Sequence, residues 1–178
     1  SLAGSQMSTL STDLVGMLSS AQISSLSSST VSGFSTEILI TLSSDQLSAF
    51  TSTQTRALGT TQILALRSEQ SMALTTRFLS ALTPAQIAAI ETDDFQALES
   101  TQLLALNSSQ LRSLSVAQIQ VLSSDEILGL KNSQLAALST TQLSSVSTDF
   151  IQSLASAQIK ELASAQIRAL TTVQLSSL

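Results

Sequence analysis

Residues 155–170 read ASAQIKEL followed directly by ASAQIRAL, which is one eight-residue sequence written twice with two changes. Counting in eights from this pair, the frame covers residues 3–178 without an insertion, giving 22 octads and leaving only Ser1 and Leu2 outside. We number the octads 1 to 22 and the residues of each octad as positions 1 to 8. A fixed, uninterrupted period is typical of repeat architectures. The sequence therefore predicts a single continuous repeat array over residues 1–178. Because it opens on Ser without an initiator Met, we expect it to be a fragment of a longer repeat protein.

Five of the eight positions are restricted in residue type. Position 8 is Leu or another large apolar residue in all octads, and position 5 is apolar except at Thr55 and Ser71. Position 4 is usually Gln, position 2 usually Ser or Thr, and position 7 usually Ala, Ser or Gly. Positions 5 and 8 lie three residues apart, so in a helix they share a face. We expect this face to form a common core, with position 6 facing solvent.

The eight-residue period requires the helix to break once in each octad. Eight residues at 100° each overshoot two helical turns by about 80°, so a single long helix would wind its apolar positions around all sides. The breaking signal is clearest at Thr83-Pro84-Ala85-Gln86. Here Thr83 is the predicted N-cap, Pro84 the first helical residue and Gln86 the capping-box partner, and Leu82 with Ile87 forms a hydrophobic staple.

Helices this short leave most backbone donors and acceptors without an intrahelical partner. We expect the recurrent hydroxyls to accept hydrogen bonds from the free N–H groups, and the Gln amide to bridge to carbonyls of a neighbouring octad. In the ASAQ octads the N-cap is either the Ala at position 1 or the Ser at position 2, as at Ser156 and Ser164.

The predicted fold is therefore all-α: a solenoid with one short helix per octad and about three to four octads per turn. The alternative is a β-solenoid, since Ser, Thr, Ile and Val suit strands and stacked Gln side chains could join its coils. Two features disfavour it. The inward positions differ by three, which breaks strand alternation, and the chain has only five Gly for corners.

Composition excludes several classes of function. The seven Lys and Arg residues are scattered singly and the net charge is −5, so we expect no nucleic-acid partner. No uncharged stretch is apolar enough to predict a membrane span. The chain lacks His, Cys, Tyr and Trp, so it lacks the usual nucleophile and base pairs, and we expect no enzymatic activity and no cofactor. Asp93-Asp94 and Asp125-Glu126 are read as acids favoured at helix N-termini rather than as a metal site.

One side of the array departs from the repeat. Position 6 becomes large and apolar in octads 5, 8, 9, 13 and 16. Position 3 becomes acidic in nearly the same phase, at Asp13, Glu37, Asp45, Glu69, Asp93, Asp125 and Asp149. With three to four octads per turn, these residues would align along one side and pack against a second chain or domain. We call the apolar members the outer stripe: Ile40, Leu64, Met72, Leu104 and Leu128. The alternative is drift in a degenerate repeat, where singly exposed apolar residues carry no function.

The octads AQIKEL and AQIRAL, together with TPAQIAAI at 83–90 and SVAQIQVL at 115–122, give the chain a recognisable pattern. It resembles the octapeptide tracts, TAQIxAL-like, of very long bacterial secreted and surface proteins. The resemblance covers almost the whole chain. It implies an extracellular or surface-associated structural array, and it assigns no functional residues.

Two functions remain open from the sequence. The first is a structural repeat module, meaning a spacer, stalk or filament-forming element of a bacterial secreted or surface protein. The second is a scaffold that binds another protein through the outer stripe or a superhelical groove. Self-association into a homo-oligomer or filament would unite the two.

The frame itself can be tested by deletion. Removing residues 155–162, one whole octad, should preserve the helical circular dichroism signal per residue and a cooperative melt, because octads contact mainly their structural neighbours. Removing only residues 155–158 should disrupt folding, since every later core position then moves out of phase. Equal unfolding by both deletions would contradict the solenoid.

Overall fold

The computed structural model describes residues 11–178, and over them each octad forms one helix of four to six residues. Residues 11–178 contain no strand. The predicted all-α solenoid with one helix per octad is confirmed, and the β-solenoid alternative is wrong. Octad 1, residues 3–10, lies outside the described residues together with Ser1 and Leu2.

The chain divides into two compact units, Ser1–Leu98 and Glu99–Leu178. The first unit contains the helices Thr12–Gly16, Ser20–Ser25, Ser28–Ser32, Thr36–Thr41, Ser44–Ser48, Ser52–Ala57, Thr60–Leu64, Ser68–Met72, Thr76–Ala81, Pro84–Ala88 and Thr92–Gln96. The second contains Ser100–Leu103, Ser108–Ser113, Val116–Gln120, Ser124–Gly129, Asn132–Leu135, Thr140–Ser145, Thr148–Ser153, Ser156–Lys160, Ser164–Ala169 and Thr172–Ser176. That residues 1–178 form one continuous array stays a prediction.

Each helix begins directly after position 1, whose extended backbone makes it the N-cap. Octad 11 shows the predicted capping box: Thr83 Oγ1 accepts from the Gln86 N–H at 3.3 Å, and Gln86 Oε1 accepts from the Thr83 N–H at 2.7 Å. Pro84 is the first helical residue, as predicted. A hydroxyl or amide oxygen at position 1 therefore accepts a hydrogen bond from the otherwise free N–H of position 4, and the position 4 side chain accepts one from the N–H of position 1.

The ASAQ octads have Ala as the N-cap, so the alternative that placed the cap at Ser156 or Ser164 is wrong. The helices begin at these two serines, and Ala155 and Ala163 precede them without a side-chain hydrogen bond. The cap N–H groups are still satisfied, because Gln158 Oε1 and Gln166 Oε1 accept from them at 2.8 and 2.7 Å. The glutamine half of the capping box thus suffices to start a helix in these octads.

Positions 5 and 8 form the core, as predicted. Position 5 is at most 4% exposed from octad 2 to octad 19, and the largest fully buried side chains include Phe95 at position 5 and Phe50 at position 8. Nearly every helix ends with a hydrogen bond from the position 8 N–H to the position 5 carbonyl, for example from Leu138 to Leu135 at 3.1 Å. The chain then turns into the next N-cap, so both core residues of an octad are fixed by one short helix.

Within each unit, octads lie against partners three and four octads away. The helix of octad 4, Ser28–Ser32, packs on that of octad 7, Ser52–Ala57, and octad 18 packs on octad 21 in the same way in the second unit. Hydrogen bonds also join octad 6 to octad 2, from Gln46 to the carbonyl of Leu18. Contacts at both spacings place between three and four octads in each turn, as predicted.

One buried hydroxyl in this core has no partner. Thr55 occupies position 5 of octad 7, is fully buried, and its Oγ1 makes no hydrogen bond. Thr55→Val keeps the shape and removes a desolvated polar group, so we expect the free energy of unfolding to rise by about 1–2 kcal/mol in urea titration. Thr53→Val, on the exposed surface of the same helix, is the matched control and should change it by less than about 0.5 kcal/mol. A destabilising Thr55→Val would contradict this assignment.

Candidate functional site

The most regular polar feature of the structure is a set of buried glutamines at position 4, which we call the glutamine column. Each member is at most 7% exposed and makes hydrogen bonds through both ends of its amide. Its members are Gln46, Gln54, Gln62, Gln70 and Gln86 in the first unit, and Gln134, Gln142, Gln158, Gln166 and Gln174 in the second. Gln102, Gln110 and Gln118 are also buried at position 4, and each accepts a hydrogen bond from its own N-cap N–H.

Gln142 shows the geometry of the column. Its Oε1 accepts from the N–H of Ser139, the N-cap of its own octad, at 2.7 Å. Its Nε2 donates to the carbonyls of Leu111 and Leu114, both in octad 14, at 3.0 and 2.8 Å. One amide therefore caps its own helix and satisfies carbonyl groups at the end of a helix four octads earlier. The predicted bridge from the Gln amide to a neighbouring octad is confirmed.

The same register recurs at every member of the column. Nε2 donates to the position 8 carbonyl 28 residues earlier, at 2.7–3.1 Å throughout. A second hydrogen bond reaches the position 5 carbonyl 31 residues earlier in most members, as from Gln86 to Thr55 at 3.0 Å. The position 8 carbonyls follow the helix ends, where no intrahelical donor remains, whereas the position 5 carbonyls also accept from the position 8 N–H of their own octad, as Leu111 does from Leu114 at 3.2 Å. The column is thus the connection that holds successive turns of each unit together.

Octad 10 replaces the glutamine by Phe78 and keeps the connection by other means. Phe78 lies over Phe50 of octad 6, with ring centroids 6.1 Å apart and planes tilted by 42°. The neighbouring Arg77 donates from one guanidinium nitrogen to the carbonyls of Phe50 and Ser48, at 2.9 and 2.8 Å. The Phe50 carbonyl is the one that a glutamine at position 4 would have bonded. An arginine at position 3 therefore supplies the missing donor, and the two aromatic rings supply packing.

Octad 12 places an acid in the column. Asp94 is only 7% exposed, and its Oδ1 accepts from Ser68 Oγ at 2.5 Å, whereas its neighbour Asp93 is exposed. Both acids lie in the first turn of the helix Thr92–Gln96, so their interpretation as acids at a helix N-terminus is confirmed. Glu126 in octad 16 retains the capping half of the motif, since it accepts from the N–H and Oγ of Ser123 at 2.7 and 2.8 Å.

Position 6 carries a second set of connections that the sequence did not indicate. Arg56 Nε donates to the Ala81 carbonyl and Arg112 Nε to the Ala137 carbonyl, each at 3.2 Å. Gln120 Nε2 donates to the Ser145 carbonyl at 2.8 Å. In each case the acceptor is position 7 of the octad three further on. Sequence reasoning read this position only as a solvated face, because nothing in the eight-residue pattern shows which carbonyl lies above it.

The outer stripe is divided between the two units. Leu64, Met72 and Leu128 are 48, 51 and 51% exposed, and Ile40 and Leu104 are half-buried. In the first unit, Ile40 lies in octad 5, which contacts octads 8 and 9, where Leu64 and Met72 lie.

In the second unit, the helices that carry or border Leu104 and Leu128 pack against each other. Leu104 is half-buried because its side chain covers Gly129, where an added Cβ would meet it at 3.5 Å. The acids at position 3, from Asp13 to Asp149, are all exposed. A partner for the stripe stays a prediction.

Comparison with known families identifies the repeat. The model of the ALTTAQ repeat family matches residues 87–124 and, one octad later, residues 95–132. Residues 87–132 are therefore similar to the ALTTAQ repeat. The six letters of that name fall on positions 7, 8, 1, 2, 3 and 4 of the octad, and residues 169–174 read ALTTVQ. The predicted octapeptide-repeat tract is thus confirmed. A search of the curated proteins found no match to the chain.

The final Gln of the ALTTAQ motif falls on position 4 of the octad, which is the position of the glutamine column. The residue that the motif specifies there is the one that bonds to the octad four earlier. Among residues 11–178 no group of three or more His, Cys, Asp or Glu is arranged to hold a metal ion. In the same range no helix has the length and apolar content needed to cross a membrane.

The column can be tested at Gln142. Gln142→Leu leaves the Ser139 N–H and the Leu114 carbonyl without a partner and removes one of the two hydrogen bonds to the Leu111 carbonyl. The free energy of unfolding should therefore fall by about 3 kcal/mol. Gln120→Leu is the matched control, because Gln120 is exposed and its single Nε2 hydrogen bond can be replaced by water. Urea titration followed by circular dichroism measures both. Equal losses from the two variants would contradict a special role for position 4.

Proposed function

We propose that this chain is a structural repeat module, a spacer, stalk or filament-forming element of a bacterial secreted or surface protein, located outside the cell or at its surface. The observation that carries the proposal is the glutamine column. Ten buried amides repeat one connection between octad n and octad n−4. A glutamine that recurs at position 4 and joins successive turns in this way serves the extension of the array.

The repeat allows the length of the array to change with little effect on the stability of the existing octads. Every column member uses the same 28-residue separation between Nε2 and its acceptor, so an added octad finds its donors and acceptors already in register. Stability in such arrays is close to a sum of terms for each repeat and its neighbours. Changing the number of octads therefore changes the length of the module without requiring a new core.

The proposal is structural rather than enzymatic. Without His, Cys, Tyr or Trp, the chain lacks the residues that form the usual nucleophile and base pairs. Many of these hydroxyls bond within their own octad, as Ser113 Oγ does to the Gln110 carbonyl at 2.7 Å. These observations support a structural module whose polar side chains mainly form hydrogen bonds with its own backbone.

A tandem duplication tests the spacer. Residues 11–178 are 21 octads, so joining two copies of this segment preserves the eight-residue frame. A spacer predicts that the longest dimension, measured by small-angle X-ray scattering on dilute monomer, grows about twofold. A globular arrangement of the same chain would grow only about 1.3-fold.

The matched control is the same duplication with residues 11–14 of the second copy removed, which shifts its frame by half an octad. We expect this junction to act as a hinge, so that the distribution of longest dimensions broadens and its mean falls. Growth of about 1.3-fold in the in-frame duplication would contradict the spacer.

A second candidate function is a scaffold that binds another protein through the outer stripe. The exposure of Leu64, Met72 and Leu128, each close to one half, favours it. Replacing these three by Asp should then abolish binding while leaving the helical signal unchanged, because none of them is in the core.

A further inference from the structure

One side of the first unit carries apolar side chains over three successive turns. Position 6 is Ile40, Leu64 and Ala88 in octads 5, 8 and 11, whereas the other octads from 4 to 12 have Ser, Arg or Gln there, apart from Met72. The helices of octads 5 and 8 pack against each other, as do those of octads 8 and 11. Leu64 and Ala88 are exposed, and Ile40 is half-buried. We call Ile40, Leu64 and Ala88 the apolar row.

Small apolar residues fill the space between the members of this row. In octads 7, 14 and 15 the position 6 side chain reaches position 7 of the octad three further on, through hydrogen bonds of 2.8–3.2 Å. The same register places Ile40 over Ala65 and Leu64 over Ala89, and both alanines are half-buried. The apolar row is therefore one continuous surface along this side of the unit.

An acidic row accompanies the apolar row. Five residues after each member of the apolar row comes an exposed acid at position 3 of the next octad, and these acids are Asp45, Glu69 and Asp93. Five residues span at most about 18 Å, and an α-helix with its side chains is about 10–12 Å thick. One helix lying between the two rows can therefore contact both. Glu69 also precedes the exposed Met72 by three residues, which adds an apolar side chain on the same helix face.

The charges around the two rows favour a cationic partner. Octads 5, 6, 8, 9, 11 and 12 together contain six Asp or Glu residues and a single cation, Arg67. A second copy of this chain would bring the same acids against them, and like charges repel. The other two arginines of the first unit are engaged, because Arg56 and Arg77 donate to backbone carbonyls. The complementary partner is a different chain with Lys or Arg beside apolar residues.

We propose that the two rows bind a cationic amphipathic helix of a partner protein, lying along octads 5–12. Packed helices lie about 8–10 Å apart, so acids on successive turns recur at about that distance. Seven residues of an α-helix advance about 10.5 Å, so a Lys or Arg at every seventh residue faces each acid in turn. This goes beyond the proposed structural function, because the module then also holds a partner on its side.

A labelled peptide tests the docking. The probe is a fluorescent helical peptide of three heptads, with one Lys and two Leu on the same face of each heptad. Fluorescence anisotropy follows its titration with the full 178-residue chain. The control peptide replaces every Lys by Glu and keeps the Leu residues. We expect saturable one-to-one binding of the Lys peptide alone, weakened as the ionic strength rises from about 0.05 to about 0.5 M.

Leu64 tests the apolar row against a matched position in the second unit. Leu64→Ser should weaken binding of the Lys peptide about tenfold, because the exposed half of this side chain is buried in the complex. Leu128→Ser is the control, since Leu128 also lies at position 6 and is 51% exposed, but Ser133 instead of an acid follows five residues later. This control should leave the affinity unchanged.

A paired substitution tests the acidic row. Glu69→Gln combined with Asp93→Asn removes two charges from octads 9 and 12, and it should weaken binding about fivefold at low ionic strength. Asp125→Asn combined with Asp149→Asn removes two exposed charges at the same positions of octads 16 and 19, which pack on each other in the same way. The octads before these two have no apolar residue at position 6. The control pair should therefore change the affinity by less than about twofold.

Three results would overturn the docking. These are no saturable binding of the Lys peptide, equal binding of the Glu peptide, or equal losses from the first-unit variants and their second-unit controls. A homodimer that Leu64→Ser abolishes, seen by analytical ultracentrifugation, would assign the surface to a second copy and would also contradict the proposal. Circular dichroism checks the fold of each variant. Absence of binding by a helical chain would refute the docking and leave the spacer intact.

Discussion

The structure depends on one interaction, the two-sided hydrogen bond of a buried glutamine amide. A helix of four to six residues leaves nearly all its terminal N–H and C=O groups without partners, and burying such groups unpaired costs about 1–3 kcal/mol each. The position 4 amide satisfies such groups at both of its ends, because its oxygen accepts from the N-cap N–H of its own helix while its nitrogen donates to carbonyls four octads earlier.

The departures from the repeat show how strict this requirement is. Where Phe78 removes the amide, Arg77 provides a donor to the same Phe50 carbonyl. Where Asp94 removes the donor, the carboxylate finds a hydroxyl in Ser68. Where a hydroxyl enters the core at Thr55, it remains unpaired. A neighbouring side chain thus supplies a polar partner in octads 10 and 12, whereas octads 5 and 19 fill position 4 with the buried apolar residues Ile38 and Phe150.

Much of the fold could be predicted because its signals are local. The eight-residue frame, the capping box from Thr83 to Gln86 and the inward positions 5 and 8 all follow from spacing within one octad. The Gln bridge could be predicted as a type of contact, since a short helix needs one. Its acceptor could not, because the choice of octad n−4 depends on how far each octad rotates about the superhelix axis.

Other features escaped prediction for the same reason. The burial of Asp94, the reach of Arg56 to the Ala81 carbonyl and the covering of Gly129 by Leu104 all involve octads that are distant in sequence. The N-cap at Ala155 was left ambiguous because Ser is normally the better cap, yet the Gln158 oxygen already satisfies that N–H group. Local preference was overridden there by a side chain three residues further on.

Hydrogen exchange of the glutamine side-chain amides, followed by NMR on a chain labelled with nitrogen-15 at Gln, tests the central claim most directly. Exposed Gln22, Gln96 and Gln152 provide internal references in the same spectrum. The account predicts that the Nε2 protons of Gln54, Gln142 and the other column members exchange far more slowly than these references, and that their protection is lost only with unfolding. Exchange of the column amides at the rate of the exposed glutamines would contradict it.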